Sequence, residues 1–261
     1  MNIIVLIKQV PGSTEVNIDP ATNTLIRDGV EAVINPYDAY AIEEAVRLKE
    51  KHGGTVTTLT MGPPQAAEAL RQSLAVGADK GVLLSDKKFA GADTLATSYT
   101  LAAAVRKTGV YDLVIAGKQT IDGDTGQVGP EVAVHLRIPF TTYVKKIENV
   151  SGGKLRVERL LEDGYEVIEL PLPCLITVVK EINEPRLPSL RSLMAAKKAE
   201  IEIWSADELG GDTKRYGLAG SPTQVIETYI PKRAPTGEIL TGSVEEQVEA
   251  LVTRLKEVGA L

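Results

Sequence analysis

A single cysteine, Cys174, and two histidines, His52 and His135, are the whole supply of thiol and imidazole in 261 residues. One thiol excludes an internal disulfide and fits a reducing, cytoplasmic compartment. The same scarcity leaves no set from which a His/Cys metal site is built. No apolar run approaches the ~20 residues that a membrane span needs. The N-terminal run, Ile3 to Ile7, is too short for a signal peptide and stops at Lys8. Positive charge is not in excess either: 29 Lys and Arg face 35 Asp and Glu, a net charge of −6. That balance argues against nucleic acid as the main partner. A lysine-bearing Walker loop is missing as well, which counts against an ATP-consuming enzyme. What remains is an ordinary globular composition, 43% hydrophobic and 25% charged, with ample material for a core.

What is present alternates. Asn2 to Val10 (NIIVLIKQV) is an apolar run typical of a central parallel strand, with Lys8 and Gln9 at its carboxyl end. Glu15 to Asp28 has the pattern of a small hairpin turning near Pro20 to Asn23. Asn35-Pro36 opens a helix whose buried face is Ile42, Ala45, Val46 and Leu48, and Gly53-Gly54 ends it. Thr55 to Met61 reads as a second strand, Gly62-Pro63-Pro64 leads into a helix ending at Gly77, and Lys80 to Leu84 is a third strand. Asp93 or Thr94 caps the next helix, which runs to about Lys107, and Leu113 to Ala116 is a fourth strand. This alternation predicts a three-layer, doubly wound, mainly parallel α/β sheet with right-handed crossovers.

After Pro139 the rhythm changes. Thr141 to Ile147, Lys154 to Leu161, Tyr165 to Leu170 and Cys174 to Val179 read as an antiparallel β extension, separated by SGGK, EDG and PLP turns. Asn183 to Ser192 (NEPRLPSLRS) is a Pro-broken exposed segment with Leu187, Leu190 and, just beyond it, Leu193. Its leucines either form a docking patch or tuck under their own domain. Gly210 to Pro235 looks like an arm with little core of its own. Ser243-Val-Glu-Glu246 is a capping box that starts a last helix, with Val244, Val248, Leu251, Leu255 and Val258 on one stripe. Such a helix packs at home or on a partner subunit.

These elements are organised around Tyr111 to Leu136, YDLVIAGKQTIDGDTGQVGPEVAVHL. A buried strand ends at Gly117, and an apolar helical segment starts at Pro130, a residue suited to the first turn. Between them Gly123, Gly126 and Gly129 fall at every third position. A strand, a glycine-rich loop and a helix N-terminus together make an anion site, because main-chain N–H groups converge and the helix dipole favours negative charge. Open α/β sheets bind ligands at the carboxyl ends of their strands. The spacing is neither the Walker loop nor the dinucleotide fingerprint. An ordinary loop and a phosphate cradle for a nucleotide therefore stand side by side. Asp122 and Asp124 fit a cradle only if they turn aside to hold backbone N–H groups, a ribose hydroxyl or a cation. His135 reads as a helix-packing residue.

Several motifs in order carry a resemblance over essentially the whole chain. IKQVPG at Ile7 to Gly12, NPYDAYAIEEAVRLKE at Asn35 to Glu50, GADKGVLL at Gly77 to Leu84, AGKQTIDGDTGQVGP at Ala116 to Pro130 and NEPRLPSLRSLMAAKKAEIE at Asn183 to Glu200 resemble the small (beta) subunit of electron transfer flavoproteins. The resemblance implies a fold of the adenine nucleotide hydrolase-like kind, a heterodimer with a larger alpha subunit, and an adenine nucleotide bound in this chain. The family's nucleotide pocket falls here on Leu6, Ile7 and Lys8, on Asn35, Pro36, Tyr37 and Asp38, and on Met61. It continues on Asp122, Gly123, Asp124, Thr125, Gly126, Gln127, Val128, Gly129, Pro130 and Ala133. Thr125, Gln127 and the backbone of Gly126 to Gly129 are expected on phosphates, and Asn35 to Asp38 on the adenosine end. Asp93 and Thr94 join them as residues of a helix start facing the same strand ends. The leucine segment, within 183–200, is similar to the family's recognition loop, with Leu190 where its key leucine stands. The expected division is an α/β nucleotide-binding domain over 1–209 and, over 210–261, an arm and helix like those that wrap the alpha subunit in relatives.

Two branches of the family differ in this pocket. Housekeeping members hold a structural AMP and shuttle electrons from acyl-CoA dehydrogenases to the respiratory chain. NPYD and DGDT-x-QVGP resemble the bifurcating members, which hold FAD in the beta subunit. Gly123 agrees with that branch, since bare backbone approaches a pyrophosphate more closely than a side chain allows. The branch implies NADH as electron donor. Its acceptors are an alpha-subunit flavin serving an acyl-CoA dehydrogenase type partner, and ferredoxin or flavodoxin. No side chain is then needed as nucleophile or acid–base catalyst, because the redox chemistry belongs to the coenzyme. A nucleotide-sensing module of the same α/β plan, without redox work, is the remaining reading.

Overall fold

The apolar runs of the sequence become the strands of one sheet, and the amphipathic segments between them cover its two faces. The computed structural model describes residues 1–12, 17–19, 24–26, 32–227 and 237–261. The chain forms two compact units, Met1–Asn17 with Leu25–Ile226, and Ile18–Thr24 with Glu227–Leu261.

In chain order the strands begin with β1 (Asn2–Leu6), β2 (Gln9–Pro11), β3 (Asn17–Asp19), β4 (Thr24–Ile26) and β5 (Ala32–Ile34). Helix α1 (Pro36–His52), β6 (Thr55–Met61), α2 (Ala67–Val76), β7 (Lys80–Leu84), α3 (Thr94–Thr108), β8 (Leu113–Gly117) and α4 (Val128–Leu136) follow. Then come β9 (Phe140–Ser151), β10 (Lys154–Leu161), β11 (Gly164–Pro171), β12 (Cys174–Val178), α5 (Leu190–Lys197), β13 (Glu202–Trp204), α6 (Ala206–Leu209) and α7 (Val244–Glu257). Among the described residues the main sheet has the order β11-β10-β9-β12-β8-β1-β6-β7-β13. It is parallel from β9 to β13 and antiparallel only across β9, β10 and β11.

Alternation along β1 sorts the core. Ile3 and Val5 pack with Ala41, Ile42 and Val46 of α1 and Leu70 of α2, while Ile4 and Leu6 pack on the other face with Leu101 and Val105 of α3 and Val132 of α4. The chain therefore winds outward from β1 through β6 to β7, then returns across the opposite face to place β8 on β1's other side. The β1–β8 boundary is the point where the winding reverses, and open α/β sheets bind ligands in the crevice at the carboxyl ends of such strands.

Two expectations need correction, for the first strand and for β12. The first strand stops at Leu6, because the Lys8 amide turns to the Asp38 carboxylate, and Gln9–Pro11 pairs separately with β5. Helix α4 starts at Val128, and Pro130, its third residue, lies in the first turn as expected, where N–H groups have no intrahelical acceptor. Strand β12 is not part of the antiparallel extension: it lies parallel between β8 and β9, and its five residues are all buried, as a central parallel strand requires. Part of the stretch that follows residue 209 packs on the first unit. Tyr216 is 1% exposed, stacks edge-on against Phe89 at 5.2 Å and joins the α3 side of the core, and the first unit runs to Ile226.

Strands β3 and β4 pair as a two-stranded sheet. The turn expected at 20–23 and residues 228–236 of the arm lie outside the described residues. In the second unit, α7 carries the expected capping box between Ser243 and Glu246, and none of its residues is buried. Among the described residues no helix is long and apolar enough to cross a membrane.

Candidate functional site

Two polar side chains at the start of α1 build the floor of the crevice. Asn35 is fully buried, and its amide spans the turn after β8: Nδ2 donates to the Gln119 carbonyl at 2.9 Å, and Oδ1 accepts the Ile121 N–H at 3.2 Å. Asp38, one turn on, accepts the Lys8 N–H at 2.8 Å and the Gly117 N–H at 3.2 Å, which joins the ends of β1 and β8. Burial pushes its carboxyl up to about 7, although the Asn35 side chain and the two amides favour its charged form. Both residues are committed to backbone, behind the loop rather than in front of it. Exposed Pro36 and half-buried Tyr37 are left at the opening.

The loop from Lys118 to Gln127 removes the objection that its carboxylates raise. Asp122 accepts the Lys8 ammonium at 2.6 Å, and Asp124 accepts the Gln119 side-chain amide. Burial alone would raise the Asp122 carboxyl, but the Lys8 hydrogen bond and charge outweigh it and hold the group below its ordinary value. Asp124 and Gly126 both stand in the left-handed region, with φ of 52° and 64°. That region suits glycine and, among other residues, aspartate and asparagine. Gly129 has a different reason: a Cβ there would lie 2.6 Å from Thr177 Cγ2, so glycine lets α4 close onto β12. Gly123 has no such constraint, its nearest neighbour being Thr120 Oγ1 at 3.5 Å.

The far rim is the start of α3. The Thr94 hydroxyl reaches Gln127 Oε1 at 3.1 Å and Glu131 Oε1 at 3.2 Å, so the N-termini of α3 and α4 lie side by side. Asp93 caps α3 through the Ala96 N–H at 3.0 Å, and its other oxygen accepts the amide and hydroxyl of Thr223. Burial would raise this carboxyl, but the donors from Ala96, Thr223 and Ser221 hold it low. Two adjacent helix N-termini and a loop of main-chain donors make a region of positive potential suited to an anion.

The expected residues thus divide. Lys8, Asp122 to Pro130, Asn35, Asp38, Asp93 and Thr94 come together around one loop. Leu6 and Ile7 are each 5% exposed and present backbone only, Met61 is half-buried at the end of β6, and the side chain of Ala133 is wholly within the core. Leu190 is elsewhere, as the first residue of α5, and is exposed. His135 packs edge-on against Tyr99 at 5.8 Å, and burial lowers its imidazole pKa. Sequence reasoning missed Lys118 and Tyr143. The Lys118 ammonium sits 5.1 Å from the Tyr37 ring and 5.6 Å from the Tyr143 ring, at the carboxyl end of β8. Its position directly after Gly117 was the available signal; the left-handed backbone of Tyr143, φ 59°, had none.

Residues 22–209 match the family model described as electron transfer flavoprotein domain. The chain is 54% identical over 256 residues to an electron transfer flavoprotein subunit beta of Thermoanaerobacterium thermosaccharolyticum, covering 98% of both chains. It is 50% identical over 259 residues to the caffeyl-CoA reductase-Etf complex subunit CarD of Acetobacterium woodii, covering 98% of both. It is also 48% identical over 263 residues to protein FixA of Azorhizobium caulinodans, covering 98% of this chain and 94% of that one.

Proposed function

The chain belongs to the electron transfer flavoprotein family, as a beta subunit, and on that premise we propose that it binds FAD at the β1–β8 crevice and serves electron bifurcation in a heterodimer with an alpha subunit. The observation that carries this reading is the loop between β8 and α4. It offers main-chain donors beneath two helix N-termini, while both of its carboxylates face Lys8 and Gln119 instead of the crevice. Such a donor set fits a diphosphate. Glycine at 123, where the fold would accept a Cβ, supports close approach of that diphosphate to backbone.

In this reading the amides of Gly126 to Gly129, with the side chains of Thr125 and Gln127, hold the phosphates. Lys8 holds Asp122 away from them. Asn35 and Asp38 fix the loop from behind, and Pro36, Tyr37 and Met61 line the opening. FAD, when bound, supplies hydride acceptance from NADH and division of the electron pair between the alpha-subunit flavin, which serves an acyl-CoA dehydrogenase type partner, and ferredoxin or flavodoxin. Leu187 and Leu190, both exposed, are the contact for the dehydrogenase, and the unburied apolar stripe of α7 is the contact for the alpha subunit.

Gly126→Glu tests the loop. It places an anion and a side chain in a left-handed position at the cradle, so the purified heterodimer should lose its beta-subunit nucleotide while keeping its circular dichroism spectrum. Full retention of nucleotide in that variant would overturn the assignment.

A further inference from the structure

One stripe of α1, at positions 40, 43, 44, 47 and 50, is taken up by the segment just before the exposed leucines. Asn183 Nδ2 donates to the Tyr40 carbonyl and to Glu44 Oε2, each at 3.0 Å, and Arg47 Nη2 donates to the Glu184 carbonyl at 3.0 Å. The Arg186 guanidinium forks twice. Nε and Nη2 reach the two Glu43 oxygens at 2.9 and 3.2 Å, and Nη1 and Nη2 reach the two Glu50 oxygens at 2.5 and 2.9 Å. The Arg186 amide adds a bond to Glu43 at 3.1 Å. The Glu43 side chain is only 1% exposed. Burial alone would raise its carboxyl, but Arg186 and Arg47 outweigh burial and lower it.

Forked guanidinium–carboxylate bonds fix orientation as well as distance, and a buried carboxylate is costly to leave half-paired. Immediately after this clamp, Leu187 is 92% exposed and Leu190 is 75% exposed, with the exposed cations Arg191, Lys197 and Lys198 beyond them. Apolar side chains without cover hang from a segment that is held by a partly exposed arginine on a buried carboxylate.

We propose that Glu43, Glu50 and Arg186 are positioning residues for docking: they hold Leu187 and Leu190 in the geometry that the dehydrogenase receives, before it arrives. Ordering of the segment is then not charged against association, which is how preorganisation raises affinity. The same helix meets the cradle loop through Asn35 at its N-cap and the end of β8 through Asp38, so α1 also sets the separation between the coenzyme and the docking point. At 1.5 Å per residue, about 7 to 18 Å of helix lie between Asp38 and positions 43 to 50. The inference rests on the docking role given above to Leu190.

The test uses the purified heterodimer and an acyl-CoA dehydrogenase as electron-transfer partner. Glu43→Gln should speed amide hydrogen exchange over 183–190 about tenfold and leave the central sheet unchanged. It should also raise the KM for the dehydrogenase about tenfold at unchanged kcat, with Arg186→Lys intermediate because it keeps charge but loses the fork. Unchanged exchange overturns the proposal, and so does faster exchange without a rise in KM, which would make the clamp merely structural. Leu190→Ala separates the two claims. If it leaves KM unchanged, the docking role fails and this inference with it; if it raises KM while Glu43→Gln does not, only the clamp fails. Should Glu43→Gln not fold, Arg186→Gln, which leaves Glu43 with Arg47, carries the same measurements.

Discussion

The Gly117 amide donates to Asp38 Oδ1 at 3.2 Å, and a Cβ on Gly117 would lie 2.4 Å from that oxygen and 2.7 Å from Tyr37 Cβ. The end of β8 and the first turn of α1 thus meet with no room for a side chain. Gly117→Ala must push α1 away from the loop that it supports. The expected cost is about 1–3 kcal/mol, the range for overpacking a close contact, read from a denaturant titration. Nucleotide retention should fall with it. A variant as stable as the parent would contradict the close approach.

Asp38 gives a pH signature of unusual sign. Its folded pKa is raised from 3.8 to about 7, mainly by burial. Between about pH 4 and pH 7 the folded chain therefore keeps a proton that the unfolded chain has released. By linkage this contribution to stability is fully present below pH 4, falls as pH rises, and levels off above 7. Its size is on the order of 4 kcal/mol. The measurement is the stability of the parent minus that of Asp38→Asn across this window. The difference should shrink toward pH 7, and a flat difference would contradict a raised pKa.

Lys8 tests why Asp122 is tolerated. The pair is partly exposed, with side chains 46% and 32% accessible, so its worth to the fold is small, about 1 kcal/mol or less. Its worth to an anion beside it is larger, because Lys8→Met releases a carboxylate toward the crevice. Nucleotide affinity should drop about tenfold in Lys8→Met and recover largely when Asp122→Asn is added. A double variant as weak as Lys8→Met would mean that Lys8 touches the nucleotide itself.

The order of β1, β6, β7 and β8 and of the helices between them was legible because each of these strands is a short apolar or β-branched run with Gly or Asx beside it; β13, with Glu202 and Ile203 exposed, left no such signal. β7 occupies the residues expected for it, and of the two expected caps of α3, Asp93 and Thr94, it is Asp93 that caps. Periodicity could not assign β12 its direction. Cys174–Val178 follows a hairpin ladder in sequence, and only the burial of all five residues marks it as central. Tyr216 was hidden by the Gly- and Thr-rich residues around it, which resemble a linker in composition although one aromatic ring anchors them. At the site, the loop and its glycines were visible, but not the work of its acids. That Asn35 and Asp38 hold backbone, and that Asp122 faces Lys8, depends on contacts between positions 30 to 114 residues apart. No local pattern records such contacts.

The most direct test of the account is the nucleotide content of the purified two-subunit complex, released by denaturation and separated by chromatography. A diphosphate held by Gly126 to Gly129 predicts about two FAD per heterodimer, one from each subunit. One FAD together with one AMP would contradict it, and would leave this chain a structural nucleotide and no part in splitting electrons.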